Sequence, residues 1–394
     1  MKKLLAIVLA AVMVLSLAAC GGGGGEQPVV PGHDPVTYIH STKGEPVEHN
    51  FVDGKCTRCD TTSIFFQDKL DKHEASSYVS STPGQVIEFY YDTRAYYVEE
   101  YMKAKEEYED PGEIHIQKRA FAYLPNGYDE SKQYNVLYLL HGSGLNEGFW
   151  FAKGTFNPQA GNYTGGYFTD NVLNYLFDKG LAEDTIIITP SLYSARSYLD
   201  QYDGSIADAD ATFFFLNDAG EKTEIITIDN NNSYVMNQFY RELENDLMPY
   251  VAENFATYAA SGSLDDLIAA RDHQGYAGLS LGSMTGYQSV WMQCLDVFSY
   301  IGNFSGGPMG VDITTQAETL KQYPMNFWYV GEGTDDSNKT GLGNFIKWRD
   351  LFGFQDGSDV ANGDNCAYMV VNGGGHNYAT WIVCLFNIMQ VFFK

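Results

Sequence analysis

From about Tyr78 to the C-terminus, continuous apolar runs alternate with amphipathic segments, and this rhythm leaves few folds open to the chain. YNVLYLLHG (134–142), DTIIITP (184–190), MNFWYVGEG (325–333) and AYMVVNGGG (367–375) are built around apolar runs and end at glycine or proline, as strands buried on both faces do. Between them FTDNVLNYLFDKGL (168–181) and NQFYRELENDLMPYVAENF (237–255) carry helical periodicity, the first closing near Gly180. Strands in regular alternation with helices predict a mainly parallel central sheet with helices on both faces. EIHIQKRAFAYL (113–124) alternates polar and apolar residues, which predicts an edge strand before the turn at Pro125-Asn126-Gly127. Residues 200–235, rich in Asp, Asn and Phe, break the rhythm and read as an insertion over one end of the sheet.

The segment QGYAGLSLGSMTGYQSVWMQ (274–293) reads strand, sharp turn, helix, and the turn is Gly278-Leu279-Ser280-Leu281-Gly282. A nucleophilic serine on such a turn needs neighbours without bulk two residues away on either side, which is what G-x-S-x-G supplies. Ser280 is therefore the candidate nucleophile. Its base should follow it in the chain, on a loop leaving the C-terminal end of a strand. Of the eight histidines only His376, in the loop after AYMVV, lies beyond Ser280. The acid that orients the imidazole should lie between them, and the loop after FWYVG offers Glu332, Asp335 and Asp336, among which local pattern alone does not choose. Backbone N–H groups of Leu281, at the start of the helix, and of Ser143, in the loop after YNVLYLL, are placed to hold a tetrahedral oxyanion. His141 and His273 read as structural hydrogen-bonding histidines. Phe149, Trp150, Tyr193 and Trp381 sit near these loops in the sequence and are candidates for binding a planar acyl group or a sugar. The chemistry calls for no cofactor.

The N-terminus has its own organisation. Lys2 and Lys3 precede an apolar run ending in Leu17-Ala18-Ala19-Cys20, followed by five glycines. This is the pattern of a signal peptide (1–20), with Cys20 as the lipidation site of a bacterial lipoprotein and 21–35 as a Gly/Pro-rich tether. Residues 36–62 form a small Cys/His segment. Cys56-x-x-Cys59 with His40 and His49 upstream fits a structural zinc site, a local disulfide being the rival reading in an exported protein. The segment resembles small HxF-V-x-G-x-C-x-x-C modules of Gram-positive surface proteins. A net charge of −26 argues against nucleic acid as a partner and leaves a lipid anchor as the contact with a membrane. The chain is expected outside the cell, on the outer face of the bacterial membrane.

YLPNGYDESKQYNVLYLLHGSG, YRELENDLMPYVAENFATYA, ARDHQGYAGLSLGSMTG, VGEGTDDS and GGGHNYATW, in this order, resemble the α/β-hydrolase esterase family that includes feruloyl and acetyl-xylan esterases, with antigen 85 proteins as more distant relatives. The resemblance runs from about residue 85 to the C-terminus within an esterase domain expected over 78–394. It implies that Asp336, in the G-T-x-D-S setting Gly333-Thr334-Asp335-Asp336-Ser337, is the acid, and that the amides of Ser143 and Leu281 form the oxyanion hole. Gly282-Ser283 departs from the commoner Gly-Gly. The implied reaction is removal of feruloyl or acetyl groups from plant xylan. An acyltransferase using the same triad and a non-catalytic carbohydrate-binding lipoprotein are the rival readings.

Overall fold

The computed structural model describes residues 66–70, 73–106, 109–151, 167–193 and 233–394. It also describes the backbone of eight short strands, Ile39–His40, Val47–Glu48, Phe51–Val52, Lys55–Cys56, Thr155–Asn157, Asn162–Thr164, Thr212–Leu216 and Lys222–Thr227. The signal segment with Cys20, the tether, His49 and Cys59 lie outside the described residues, and of His40 and Cys56 only the strand backbone is described. Within 200–235 the described part is an antiparallel hairpin, Thr212–Leu216 with Lys222–Thr227, and the start of the helical segment at Ser233.

Eight strands form the central sheet: β1 (Gln85–Arg94), β2 (His115–Leu124), β3 (Asn135–Leu140), β4 (Thr185–Pro190), β5 (Gln274–Leu279), β6 (Tyr300–Phe304), β7 (Phe327–Gly333) and β8 (Cys366–Val371). Their spatial order is β1-β2-β4-β3-β5-β6-β7-β8. From β4 to β8 every pairing is parallel, while β2 runs antiparallel to both β4 and β1. Every residue of β3, β4, β5, β6 and β7 is buried, which is why these segments are mostly apolar rather than alternating.

The expected edge strand is a correction. His115–Leu124 is one place in from the edge, because Gln85–Arg94 pairs along its whole length outside it. The alternation in β2 reflects a sheet whose one face is half-exposed near its margin, and the outermost strand is β1.

Helices cover both faces. One carries α2 (239–254), α3 (281–293) and α4 (Leu342–Phe352), which bury Leu243, Leu247, Trp291 and Phe345 against Tyr276 and Trp328. The other carries α1 (Thr169–Asp178) and α5 (Tyr378–Met389), which bury Leu173, Leu176, Leu385 and Ile388 against Leu137, Leu279 and Tyr329. Gly180 closes α1 at φ +64°, a conformation that costs a glycine little. Both α2 and α3 contain a π-helical turn, Leu243–Leu247 and Gly286–Val290. Packing starts upstream of the expected domain boundary: Phe66 is fully buried against Tyr329, and Gln67 exchanges two hydrogen bonds with Asn387 of α5.

Candidate active site

The parallel strands β3, β5, β7 and β8 deliver four loops to one edge of the sheet. Ser280 occupies the tip of the β5–α3 turn at φ +50°, ψ −113°, a backbone state costing on the order of 1–3 kcal/mol for a residue with a side chain. The surroundings hold it there. The Ser280 amide donates to Phe304 O (2.9 Å), and the Met284 amide returns a bond to Ser280 O (3.0 Å). A Cβ on Gly278 would fall 2.5 Å from the carbonyl carbon of Gly282, and one on Gly282 would fall 2.6 Å from His141 O. The two glycines of the motif are required by backbone contact.

Three side chains far apart in sequence meet at this edge. His376 Nε2 lies 2.9 Å from Ser280 Oγ, and His376 Nδ1 lies 2.9 Å from Asp336 Oδ1. The Asp336 side chain is fully buried while 29% of the His376 side chain is exposed, so the acid is shielded and the imidazole is open to an incoming molecule. Asp336 Oδ1 also accepts the Asn338 amide (2.8 Å), which fixes the carboxyl relative to its own loop. The loop places the other two acids differently. Asp335 is exposed and its amide donates to Gly374 O (2.9 Å), whereas Glu332 is buried and turned toward Thr340 and Tyr368.

The β3 loop carrying Ser143 abuts the nucleophile: a Cβ on Gly142 would lie 3.1 Å from Ser280 Cβ. Leu281 is the first residue of α3, so its N–H has no acceptor within the helix. His141, buried, steadies this loop. Its Nδ1 donates to Gly142 O (2.7 Å), and its Nε2 accepts the Leu192 amide (3.0 Å). This fixes the neutral tautomer, and burial pushes the imidazole pKa down to about 4. His273 sits at the opposite edge of the sheet, bonded through Nδ1 to Asn135 Oδ1 (2.8 Å) and stacked on Tyr258. Ser283, where a second glycine was the commoner residue, donates to Gly306 O (2.7 Å) and leaves the three-residue arrangement undisturbed.

The four aromatic candidates for substrate binding are corrected by burial. Phe149, Trp150 and Tyr193 are at most 1% exposed and Trp381 is 6% exposed. They support the loops from beneath. Tyr193 OH accepts the Gly144 amide (3.1 Å), and the Trp381 ring meets the His376 ring edge to face at 5.1 Å between centroids, with Phe149 behind it. Proximity in sequence to a catalytic loop does not separate a residue that lines a surface from one that underpins it. Cys294, Cys366 and Cys384 are buried free thiols.

The strand order, the strained serine turn and the Ser280–His376–Asp336 chain are those of the α/β-hydrolase fold carrying a serine–histidine–aspartate triad. Solved feruloyl esterases, the group that the sequence motifs resemble, share this fold. The feruloyl esterase module from Clostridium thermocellum, solved with sinapinate, superposes with a TM-score of 0.56 at 21% identity, covering 84% of this chain and 97% of that one. A ferulic acid esterase from the anaerobic fungus Anaeromyces mucronatus gives 0.54 at 18% identity, covering 84% and 98%. In sequence, the chain is 27% identical over 184 residues to endo-1,4-beta-xylanase Y of Acetivibrio thermocellus, covering 47% of this chain and 12% of that protein. It is 25% identical over 281 residues to an endo-1,4-beta-xylanase/feruloyl esterase of Xylanibacter ruminicola, covering 70% and 29%. The chain thus spans less than a third of the length of either relative. No family model matches the chain.

Proposed function

We propose that this protein is a serine carboxylic-ester hydrolase that removes feruloyl or acetyl groups from xylan and its oligosaccharides. The observation carrying the reading is the unbroken hydrogen-bonded chain from Ser280 Oγ through both nitrogens of His376 to a buried Asp336. Ser280 Oγ attacks the ester carbonyl as His376 Nε2 takes its proton. Asp336 accepts Nδ1–H, holding the tautomer and stabilising the imidazolium. The amides of Ser143 and Leu281 receive the oxyanion, and the sugar alcohol leaves with the proton from Nε2. Water, deprotonated by the same imidazole, then releases the acid and restores the serine. Each step is carried by this chain's own residues. The xylan substrate class is supported by the xylanase and feruloyl esterase relatives. Anchoring through Cys20 on the outer membrane face, and a structural zinc held by His40, His49, Cys56 and Cys59, belong to the same proposal and rest on the sequence.

The test is a panel of methyl ferulate, acetylated xylan and p-nitrophenyl acetate with wild-type enzyme and Ser280→Ala, together with fluorophosphonate labelling. Loss of Ser280 should lower kcat by roughly 10⁶ and abolish labelling. A Ser280→Ala protein that keeps near-normal hydrolysis would sink the assignment. Wild type that binds xylo-oligosaccharides yet neither hydrolyses nor labels would make it a binding protein. Product analysis with sugar acceptors separates hydrolysis from acyl transfer.

A further inference from the structure

Glu332 stands one residue before the end of β7, is 2% exposed, and has no cationic partner among the described residues. A buried carboxyl without a counter-ion needs several donors, and this one has three. Its Oε2 accepts the amides of Thr340 (2.9 Å) and Gly341 (3.3 Å), and its Oε1 accepts the Tyr368 hydroxyl. The stretch between Glu332 and Thr340 contains Asp336. The carboxyl therefore closes the acid-bearing loop on its own strand, with the entering and leaving chain held together at one point.

The same contacts reach the other two members of the triad. Tyr368 lies on β8, the strand that leads to His376. Thr340 Oγ1 donates to Gly306 O (3.0 Å), and the same carbonyl accepts Ser283 Oγ (2.7 Å) from the nucleophile helix. Gly306 is itself wedged against the nucleophile, since a Cβ there would fall 2.6 Å from Ser280 O. At its exposed start the acid loop is also tied to the end of β8 and the histidine loop: the Thr334 amide donates to Val371 O (3.1 Å), the Asp335 amide to Gly374 O and the Gly373 amide to Thr334 Oγ1, while Lys339 Nζ reaches back to Thr334 O.

We propose that Glu332 is a positioning residue for the hydrolysis described above, setting the place of Asp336 by clamping its loop to β7, to β8 and, through Thr340 and Gly306, to the Ser280 turn. This rests on the esterase reading. The role needs acceptors, not charge. In Glu332→Gln the amide oxygen can keep the Thr340 and Gly341 amides, while its NH₂ donates to the Tyr368 oxygen, which can accept. Glu332→Ala removes all three bonds.

The experiment measures kcat and KM on methyl ferulate and p-nitrophenyl acetate for Glu332→Ala and Glu332→Gln, each alone and combined with Asp336→Asn, with Tm as a check on folding. Glu332→Ala should lower kcat about 100-fold, the cost of an angstrom-scale misplacement, with KM within about threefold. Glu332→Gln should stay within about fivefold of wild type. Once Asp336 is disabled there is little left to position, so Glu332→Ala should add less than about threefold in the Asp336→Asn background. The proposal is overturned if Glu332→Gln falls as far as Glu332→Ala, if the Ala effect multiplies fully onto Asp336→Asn, or if folded Glu332→Ala keeps its kcat. Should Glu332→Ala fail to fold, Tyr368→Phe with Thr340→Val reads the same clamp. A kcat loss that vanishes in the Asp336→Asn background supports the proposal, and an additive or absent loss overturns it. An inactive, fluorophosphonate-inert wild type would instead remove the esterase reading, so the two failures are distinguishable.

Discussion

Substituting Gly333 by alanine should disable the site by pushing two loops apart. Gly333 ends β7, just before the acid loop, and an added Cβ would lie 2.0 Å from Gly374 O, two residues before His376. Ordinary contact begins at 3.4 Å, so the backbones carrying Asp336 and His376 must part by about 1.4 Å. The obstacle is backbone on both sides, and no rotamer change relieves it. If half or more of that displacement reaches the side chains, the 2.9 Å bond between His376 Nδ1 and Asp336 stretches toward about 4 Å, beyond hydrogen-bonding range. A misplacement of this size costs about 10²-fold, and complete loss of the acid's orienting role about 10⁴-fold, so kcat for Gly333→Ala should fall between these limits. Overpacking also destabilises, by about 1–3 kcal/mol, so rates belong well below the Tm and normalised to the fraction labelled by fluorophosphonate. Gly343→Ala in α4 is the control: a Cβ there has nothing within 4 Å, and activity should be unchanged. A folded Gly333→Ala enzyme with kcat within threefold of wild type would refute the idea that spacing between these two loops limits the reaction.

Two further outcomes follow from buried charge. Burial holds the folded-state pKa of His141 at about 4, below the unfolded value of about 6.5, so above pH 6.5 its titration makes no contribution to the pH dependence of stability. As pH falls from 6.5 to 4 the unfolded chain takes up a proton that the folded one refuses. Up to about 3 kcal/mol should be lost across that window and no more below it, a slope that urea titrations should find reduced in His141→Gln. Lys118 Nζ lies 2.7 Å from Glu242 Oε1 and donates to Ser191 O, and burial pushes the amine pKa down and the carboxyl pKa up against their mutual attraction. Lys118→Met leaves Glu242 with the Tyr91 hydroxyl but no cation, and urea denaturation should show a loss of about 3–5 kcal/mol, largely recovered in Lys118→Met/Glu242→Leu.

The sheet was legible where both faces of a strand are covered, because such strands cannot hide their apolar runs. It was less legible at the margin. QVIEFYYDTR mixes charges into a period-two pattern, so β1 escaped reading, and β2, which it covers, passed for the edge. β6 also escaped, its five residues including Gly302 and Asn303, the latter buried because it donates to Ser283 O and accepts from the Trp328 indole. The serine and histidine are readable because one needs a special turn and the other is alone beyond it. The choice among Glu332, Asp335 and Asp336 depends on how their loop folds back, and that is decided by Thr340, Gly341 and Tyr368, which no spacing rule connects to it. The four aromatics were misjudged for the same reason: sequence gives their neighbours along the chain and not which side of the loop they occupy.

The pair Gln67 and Asn387 sets a practical limit on how the catalytic portion can be trimmed. Asn387, wholly enclosed, spends its carbonyl on the Gln67 amide and its amide nitrogen on the Gln67 carbonyl and Tyr329. An expressed fragment beginning at the first recognisable strand would strand those groups inside the protein and uncover the pocket filled by Phe66. Recombinant forms should begin upstream of residue 66, since the last helix depends on Gln67 for its polar company.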